Sequence, residues 1–321
     1  MKFWKAAFAA IAVSLIGLGT ASAQNWPSRP IKLIVPFAPG GSTDIIGRLA
    51  ADQLGRDLGQ PVVVENVGGG AGAIGTMQAE RAPADGYTLA IATVSTMVVY
   101  QSAKAKPEYS VDDFAPITNI ASMPNVLSVG PSIKAKDLKE LIALLKASPG
   151  KYTFATSGIG SINHLLGEAF QAYAGVKLVH VPYKGSGPGM QDVMAGTVDM
   201  IFDQFPSSKG AIDSGKIRAM GIISPQRVPG YNVMTMEEAG LKGFTDEAWY
   251  GLLAPGKTPP DIVAKLGAAM KKVTSNPEFR AKIEKIGART VGNTPAEFKA
   301  QIQHEVAATK KLVKERNIKF E

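Results

Sequence analysis

Cysteine is missing from all 321 residues of this chain. That removes disulfides, thiolate catalysis and cysteine-ligated metal from its chemistry and leaves the fold to rest on a packed core. Histidine is scarce: of the three present, His180 and His304 have no acidic or histidine partner at metal-ligand spacing, so no metal site is expected. No arginine-rich run interleaved with aromatics occurs, so nucleic acid is not an expected partner. Beyond the N-terminus no stretch reaches the roughly 18 to 20 apolar residues that cross a bilayer.

The one apolar run of any length, from about Ala6 to Leu18, follows Lys2 and Lys5 and precedes Ala21-Ser22-Ala23. A basic start, a short apolar run and an A-x-A site predict a secretory signal over residues 1–23, cleaved after Ala23. The chain from Gln24 onward is longer than a single core usually grows, which predicts two lobes. Loss of Lys2 and Lys5 takes the formal charge from +8 to about +6. That balance suits anionic small molecules, and equally a solvated basic surface.

Strands and helices are expected to alternate, which implies a mostly parallel sheet in an α/β fold. Residues 31–36 predict a strand, 40–44 a glycine loop, and apolar residues at helical spacing a helix ending at Gly59. A strand over 62–66, a second glycine loop over 68–75, a short helix over 76–81 and a strand over 87–93 follow. The same grammar returns about 120 residues later: strand 152–156, glycine loop 157–161, helix 163–173, strand 177–181, glycine loop 184–189, short helix 190–195 and strand 198–203. Side chains do not repeat, so the expectation is repeated architecture rather than a sequence repeat. Residues 125–131 and 249–255 are expected to cross between lobes, residues 136–147 to form a helix, and the helical tail (261–276 and 295–316) to pack back on the first lobe.

Gly40-Gly41-Ser42-Thr43-Asp44 lets backbone approach a ligand, and the helix behind it offers free amides and a positive dipole end, a geometry that binds anions. It lacks the Lys-Ser/Thr pair of a nucleotide-binding loop. Asp44 suits a capping role, because a carboxylate repels an anion. Ser157-Gly158-Ile159-Gly160-Ser161 is the counterpart, with His164 one turn further on as a hydrogen-bond donor or a structural residue. Gly70 to Gly75 matches G-x-G-x-x-G, but Ile91 to Pro107 carries no acid to bind a ribose. That run reads as backbone approaching backbone or ligand, and no cofactor is expected. Asp203 ends an apolar strand near the glycine loops, where it would face a ligand donor or cap the next turn. Phe37 and Tyr183 would wall a pocket or join the core. No serine has G-x-S-x-G spacing, although Ser161 or Ser186 with His164 would be the pair of a secreted hydrolase. A surface adhesion domain is a further alternative, and it gives no reason for two facing sets of glycine loops.

Several segments together resemble the Bug-type extracytoplasmic solute receptors of tripartite tricarboxylate transporters. They are Trp26 to Ile31, Pro36 to Asp44 with Arg48, Val64 to Asn66 with Gly68 to Gly75, Pro83 to Leu89, Ser157 to His164, Val181 to Gly185, and Trp249 to Leu252 with Ala254-Pro255. The resemblance implies a bilobal periplasmic binding protein of type II, with lobe 1 over 24–124 and 250–321 and lobe 2 over 125–249. It implies a monomer in the periplasm, closing on a small carboxylate and delivering it to a membrane permease. It implies that Phe37, Pro39, Gly40, Gly41, Ser42 and Thr43 from one lobe hold the carboxylate together with Ser157, Gly158, Gly160, Ser161 and His164 from the other, partly through ordered waters. Asp203 would help select the far end of the ligand.

Overall fold

The computed structural model describes residues 26–320, so the predicted signal peptide and its cleavage site lie outside the described residues. The first unit runs β1 (Ile31–Val35), α1 (Ser42–Leu58), β2 (Val62–Asn66), α2 (Ala73–Glu80) and β3 (Thr88–Thr93). A π-helical turn, Ser95–Val99, continues into α3 (Tyr100–Ala103), and β4 (Phe114–Val129) follows. After α4 (Leu138–Ala147) the second unit runs β5 (Thr153–Thr156), α5 (Ile162–Ala174), β6 (Val179–Pro182), α6 (Ser186–Ala195) and β7 (Met200–Gln204). Next come α7 (Phe205–Asp213), β8 (Arg218–Ile223), β9 (Glu247–Pro255), α8 (Pro260–Ser275), α9 (Pro277–Lys285), β10 (Arg289–Thr290) and α10 (Pro295–Glu315).

The two units share one topology. The strand order is β2-β1-β3-β9-β4-β7-β5-β6, with β8 and β10 also on β4. Each unit therefore places its first strand in the middle, parallel to the other two: β1 between β2 and β3, β5 between β6 and β7. Repeated architecture without sequence repetition is what results when the same glycine-punctuated order is folded twice. The units are joined by β4, whose residues up to Pro124 pair with β9 and whose residues from Asn125 pair with β7 and β8. One strand thus runs from one lobe into the other.

The helical tail packs against the first unit. Leu266, Met270, Val273 and Phe279 share a core with Ile31, Leu33, Ile46 and Leu54. Helix α10 begins with a full capping box, in which Thr294 accepts from the Glu297 N–H and Glu297 accepts from the Thr294 N–H. Its Phe298 is fully buried against Trp249 of β9, with ring centroids 5.1 Å apart and nearly perpendicular.

Three expectations need correction. The sheet is not mostly parallel: pairing is parallel within each three-stranded unit, but every pairing made by β4 and β9 is antiparallel. The glycine loops over 68–75 and 184–189 are shorter than they read, because α2 starts at Ala73 and α6 at Ser186. Gly75, Gly187 and Gly189 are helical, and glycine is used there for close approach rather than for turning. A Cβ on Gly187 would lie 2.3 Å from the Pro39 carbonyl oxygen, and one on Gly75 would lie 2.6 Å from that of Val67. The strand expected over 125–131 is the second part of the longer β4. Its first part, with Pro116, Pro124 and several polar residues, is broken by register shifts and carries no alternating pattern.

Gly251 of β9 leaves no room for a side chain: an added Cβ would lie 2.2 Å from the Phe298 ring and 2.8 Å from the Thr118 carbonyl oxygen. Gly251→Ala is expected to destabilise the protein by about 1–3 kcal/mol through overpacking. Gly210→Ala, in helix α7 with nothing within 4 Å, is expected to be neutral or stabilising by up to about 1 kcal/mol. Equilibrium urea unfolding of both variants checks the pair, and equal effects would refute the packing account.

Candidate functional site

The carboxyl ends of β1 and β5 lead through glycine loops to helices that start at Ser42 and Ile162, β3 and β7 lead into helical turns at Ser95 and Phe205, and α6 starts at Ser186. In an open α/β sheet this is where ligands sit. Gly41, the N-cap of α1, makes no side-chain cap hydrogen bond; the Asp44 N–H donates to the Gly41 carbonyl at 3.0 Å, which leaves the Ser42 and Thr43 amides to whatever occupies the space in front of them. The starts of helices from both lobes thus meet around one cavity.

Contacts across that meeting are short. Ser42 Oγ donates to Ser207 Oγ at 2.8 Å and accepts from the Ser207 N–H at 3.0 Å. The Ala38 N–H donates to the Lys184 carbonyl at 3.1 Å, and the Ile162 N–H to Ser95 Oγ at 3.0 Å. Glycines make the approach possible: a Cβ on Gly41 would stand 2.7 Å from Ser186 Oγ, and one on Gly158 would stand 3.2 Å from the Ala71 nitrogen. The enclosed cavity is only about 10 Å³, room for about one water molecule. An organic molecule does not fit this space as it stands.

Among the sequence-predicted residues, Phe37, Gly41, Thr43 and Ser157 line this cavity, and Ser42 sits at its cross-lobe seam. Pro39 and Gly40 border a separate open groove with Gly187 and Pro188, and Gly158 and Tyr183 border another with Ala71 and Lys184. Tyr183 donates to Asp192 at 2.5 Å, and burial together with that carboxylate pushes its hydroxyl up to about 12. Ser161 caps α5 by accepting from the His164 N–H at 3.2 Å. Gly160 donates its N–H to His164 Nδ1 at 3.1 Å.

The His164 ring is 2% exposed and stacks on His180 with centroids 3.9 Å apart. Burial, and then the neighbouring His180, lowers its pKa to about 3, so the imidazole is neutral at pH 7. With Nδ1 accepting from Gly160, the ring proton resides on Nε2, 3.7 Å from Glu168. Neither ring nitrogen serves Ser161 or Ser186 as a base, so the geometry assembles no nucleophile–base pair.

Two acids flank the site with opposite fates. Asp44 loses hydration on burial, but hydrogen bonds from Arg48, Asn66 and the Gly40 N–H prevail and hold its pKa below the ordinary value. It ties the Gly40 loop to β2 through Asn66, whose Nδ2 donates to it at 2.9 Å. Asp203 is fully buried behind Ser186, Asn163 and Gln204, and accepts from Ser207 Oγ at 2.5 Å. Burial dominates there and lifts its pKa to about 6 against the hydrogen bonds from Ser207, the Gln204 N–H, Ser186 and Asn163.

Asn163, Trp249 and Tyr250, from the segments quoted for the receptor resemblance, also line the cavity, as do Ser95 and Gln204, which the sequence reading did not single out. Ser95 follows β3 as Ser42 follows β1, so the rule that ligands sit beyond strand ends points to it. Tyr250, on a segment read as a crossover, donates to Gln204 Oε1 at 3.0 Å. Nothing local marks its role. The Asp203 carboxyl is expected to titrate near pH 6 when followed by 13C NMR in the free protein, and a midpoint at the ordinary aspartate value would mean that water reaches it.

Residues 46–318 match the family model described as the tripartite tricarboxylate transporter family receptor. Protein BugT of Bordetella pertussis is 37% identical over 302 residues, spanning 93% of either chain. A solved structure of an R. palustris protein with adipate has a TM-score of 0.89 at 33% identity, covering 92% of this chain and 99% of its own. MatC of Rhodopseudomonas palustris, with bound malate, has a TM-score of 0.86 at 31% identity, covering 90% and 100%. These relatives are solute receptors and not enzymes, which sets the hydrolase alternative aside. The chain belongs to the receptor family of the tripartite tricarboxylate transporters, as a Bug-type receptor with the bilobal fold of periplasmic binding proteins.

Proposed function

We propose that this protein is exported to the periplasm, captures a small organic carboxylate between its lobes and delivers it to the membrane permease of a tripartite tricarboxylate transporter. The observation that carries the reading is the convergence of helix starts from both lobes, at Ser42, Ser95, Ile162 and Ser186, on one cavity bordered by hydroxyls. Amides and dipole ends so arranged favour an anion. An anion touching both lobes binds the closed form better than the open one and shifts the equilibrium to it. The predicted signal over residues 1–23 supports export, and adipate and malate in related structures support the carboxylate class.

The moving bodies are residues 24–124 with 250–321, and residues 125–249. The change of partner on β4 between Pro124 and Asn125 supports that division. Phe37, Gly41, Thr43 and Ser157 contact the ligand directly, Pro39, Gly40, Gly158, Gly160 and Ser161 shape the two loops, and Tyr183 braces the second one. Asp203 acts from behind the wall at the far end. Because its charged form repels a second carboxylate, it favours a hydroxyl or other donor there, and it accepts a diacid more readily once protonated. The receptor works as a monomer.

Thermal unfolding against mono-, di- and tricarboxylates and aromatic acids, with sugars as controls, tests the reading. A true ligand at 100 times its Kd adds about 2.7 kcal/mol, a rise of roughly 5 °C or more. Thr43→Val removes a cavity hydroxyl and is expected to weaken binding about tenfold, the worth of one hydrogen bond near 1.4 kcal/mol. No shift with any acid, using protein freed of retained ligand, sinks the proposal.

A further inference from the structure

The stacked histidines on the outer side of α5 are not accounted for by ligand contact, yet both hold the loop that faces the ligand. Gly160 donates its N–H to His164 Nδ1 at 3.1 Å, while the His164 N–H donates back to Ser161 Oγ at 3.2 Å. This is the reciprocal arrangement of a capping box, with histidine at the third helical position where glutamate is usual and a reach one residue longer. His180 completes the backing. Its Nε2 lies 2.6 Å from Thr156 Oγ1, and that oxygen accepts from the Gly158 N–H at 3.2 Å. Of the two glycines with positive φ that shape the loop, Gly160 (φ +80) is held by an imidazole directly, and Gly158 (φ +126) by Thr156, which His180 in turn contacts.

We infer that His164 is a positioning residue for the carboxylate site: a neutral cap that, with His180 behind it, fixes the Ser157–Ser161 loop and aims the start of α5 into the cleft. The inference rests on the carboxylate-receptor reading. Its physical reason is charge. At the start of α1 Asp44 makes the same contact with the Gly40 N–H as a carboxylate, with Arg48 paired to it; a glutamate in place of His164, whose charged neighbour is the acid Glu168, would add negative charge at a second helix end that has to attract the ligand. Imidazole supplies the acceptor without the charge. The surroundings keep it so: Phe154 from β5 stacks on His180 at 5.0 Å, and Phe320 of the C-terminal tail stands edge-on to His164 at 5.5 Å. The titratable groups facing the pair are Glu168 on the same helix, 3.7 Å from Nε2, and the two rings themselves. Burial lowers His180 to about 4, so it too is neutral wherever the receptor is folded and working.

The test uses the acid with the largest thermal shift among succinate, malate, adipate, citrate and benzoate. His164→Leu, which removes the acceptor, is expected to weaken binding at least about tenfold. His164→Gln, which restores a neutral acceptor, is expected to stay within about threefold of wild type. In amide exchange by NMR, Gly160 should be protected in wild type and in His164→Gln and fast in His164→Leu. A folded His164→Leu protein with wild-type affinity, or His164→Gln as weak as His164→Leu, overturns the inference. Should His164→Leu not fold, the wild-type exchange rate still decides, because an unprotected Gly160 amide means that the clasp is not held. Failure of wild type to bind any acid would count against the receptor reading instead, and the exchange result would remain readable.

Discussion

Positive helix ends do not face one another without cost, and the architecture of this protein is arranged around that repulsion. The helical starts at Ser95, Ile162 and Ser186, and the start of α1 through Gly41 and Thr43, border one small space, so their dipoles add unfavourably across it unless negative charge lies near them. Asp203 is the charge the protein itself supplies. It is buried among Ser207, Ser208 and Asn163, in hydrogen-bonding contact with each. A pKa raised to about 6 reports that these donors do not fully replace the water it lost. The buried carboxylate is thus disfavoured in its charged form, so on the proposed reading an incoming anion is held by the amides and hydroxyls of the cavity rather than beside Asp203.

The same burial sets how the fold responds to acid, through groups that pull in opposite directions. His164 and His180 have folded pKa values near 3 and 4, below the ordinary value near 6.5. The unfolded chain therefore binds protons that the folded one refuses, and stability falls as pH drops below about 6.5. Asp203 and Asp246 behave inversely. Burial raises Asp203 to about 6, and burial with the nearby Glu305 carboxylate raises Asp246 to about 7. The folded chain takes up protons first in these cases, and stability rises as pH falls from about 7 toward 4. Across that window the contributions offset, so the histidine clasp costs the fold less in mild acid than it would alone.

Sequence patterns made the lobes legible because each unit is written in local signals. The helix ending at Gly59 does so at a left-handed glycine, φ 68, and β2 spans Val62–Asn66 as its β-branched run predicts. What stayed hidden depends on contacts far apart in the chain. Phe114 to Pro124 is a strand only because β9 and β10 lie beside it, and its prolines and polar residues argue against a strand taken alone. Gly187 reads as a turn residue until Pro39, from the other lobe, is seen to press on it. The site divided in the same way. Phe37, Gly41, Thr43 and Ser157 were visible because glycine loops after strands announce themselves. Gln204 was not, since its place is set by a hydrogen bond from Tyr250 that joins β9 to β7 across the fold.

The choice of neutral donors over cations follows from what a receptor must do after binding. No lysine or arginine lines the cavity, although the chain carries 35 such residues. The ion pairs of the described residues lie largely at the surface, as with Arg29–Asp85 and Arg227–Glu238. A guanidinium fork on a carboxylate makes two charge-assisted hydrogen bonds and, in a water-excluded site, becomes expensive to break. Amides, hydroxyls and dipole ends give attraction that depends on both walls being in place, because each supplies only part of it. On the proposed reading, the donors separate when the lobes do, and the anion returns to water. Closure and affinity are then one equilibrium, and whatever pries the lobes apart also lowers the hold on the cargo. A loop fixed from behind by uncharged imidazoles belongs to the same design, since it gives rigidity to the donors without adding charge to the cleft.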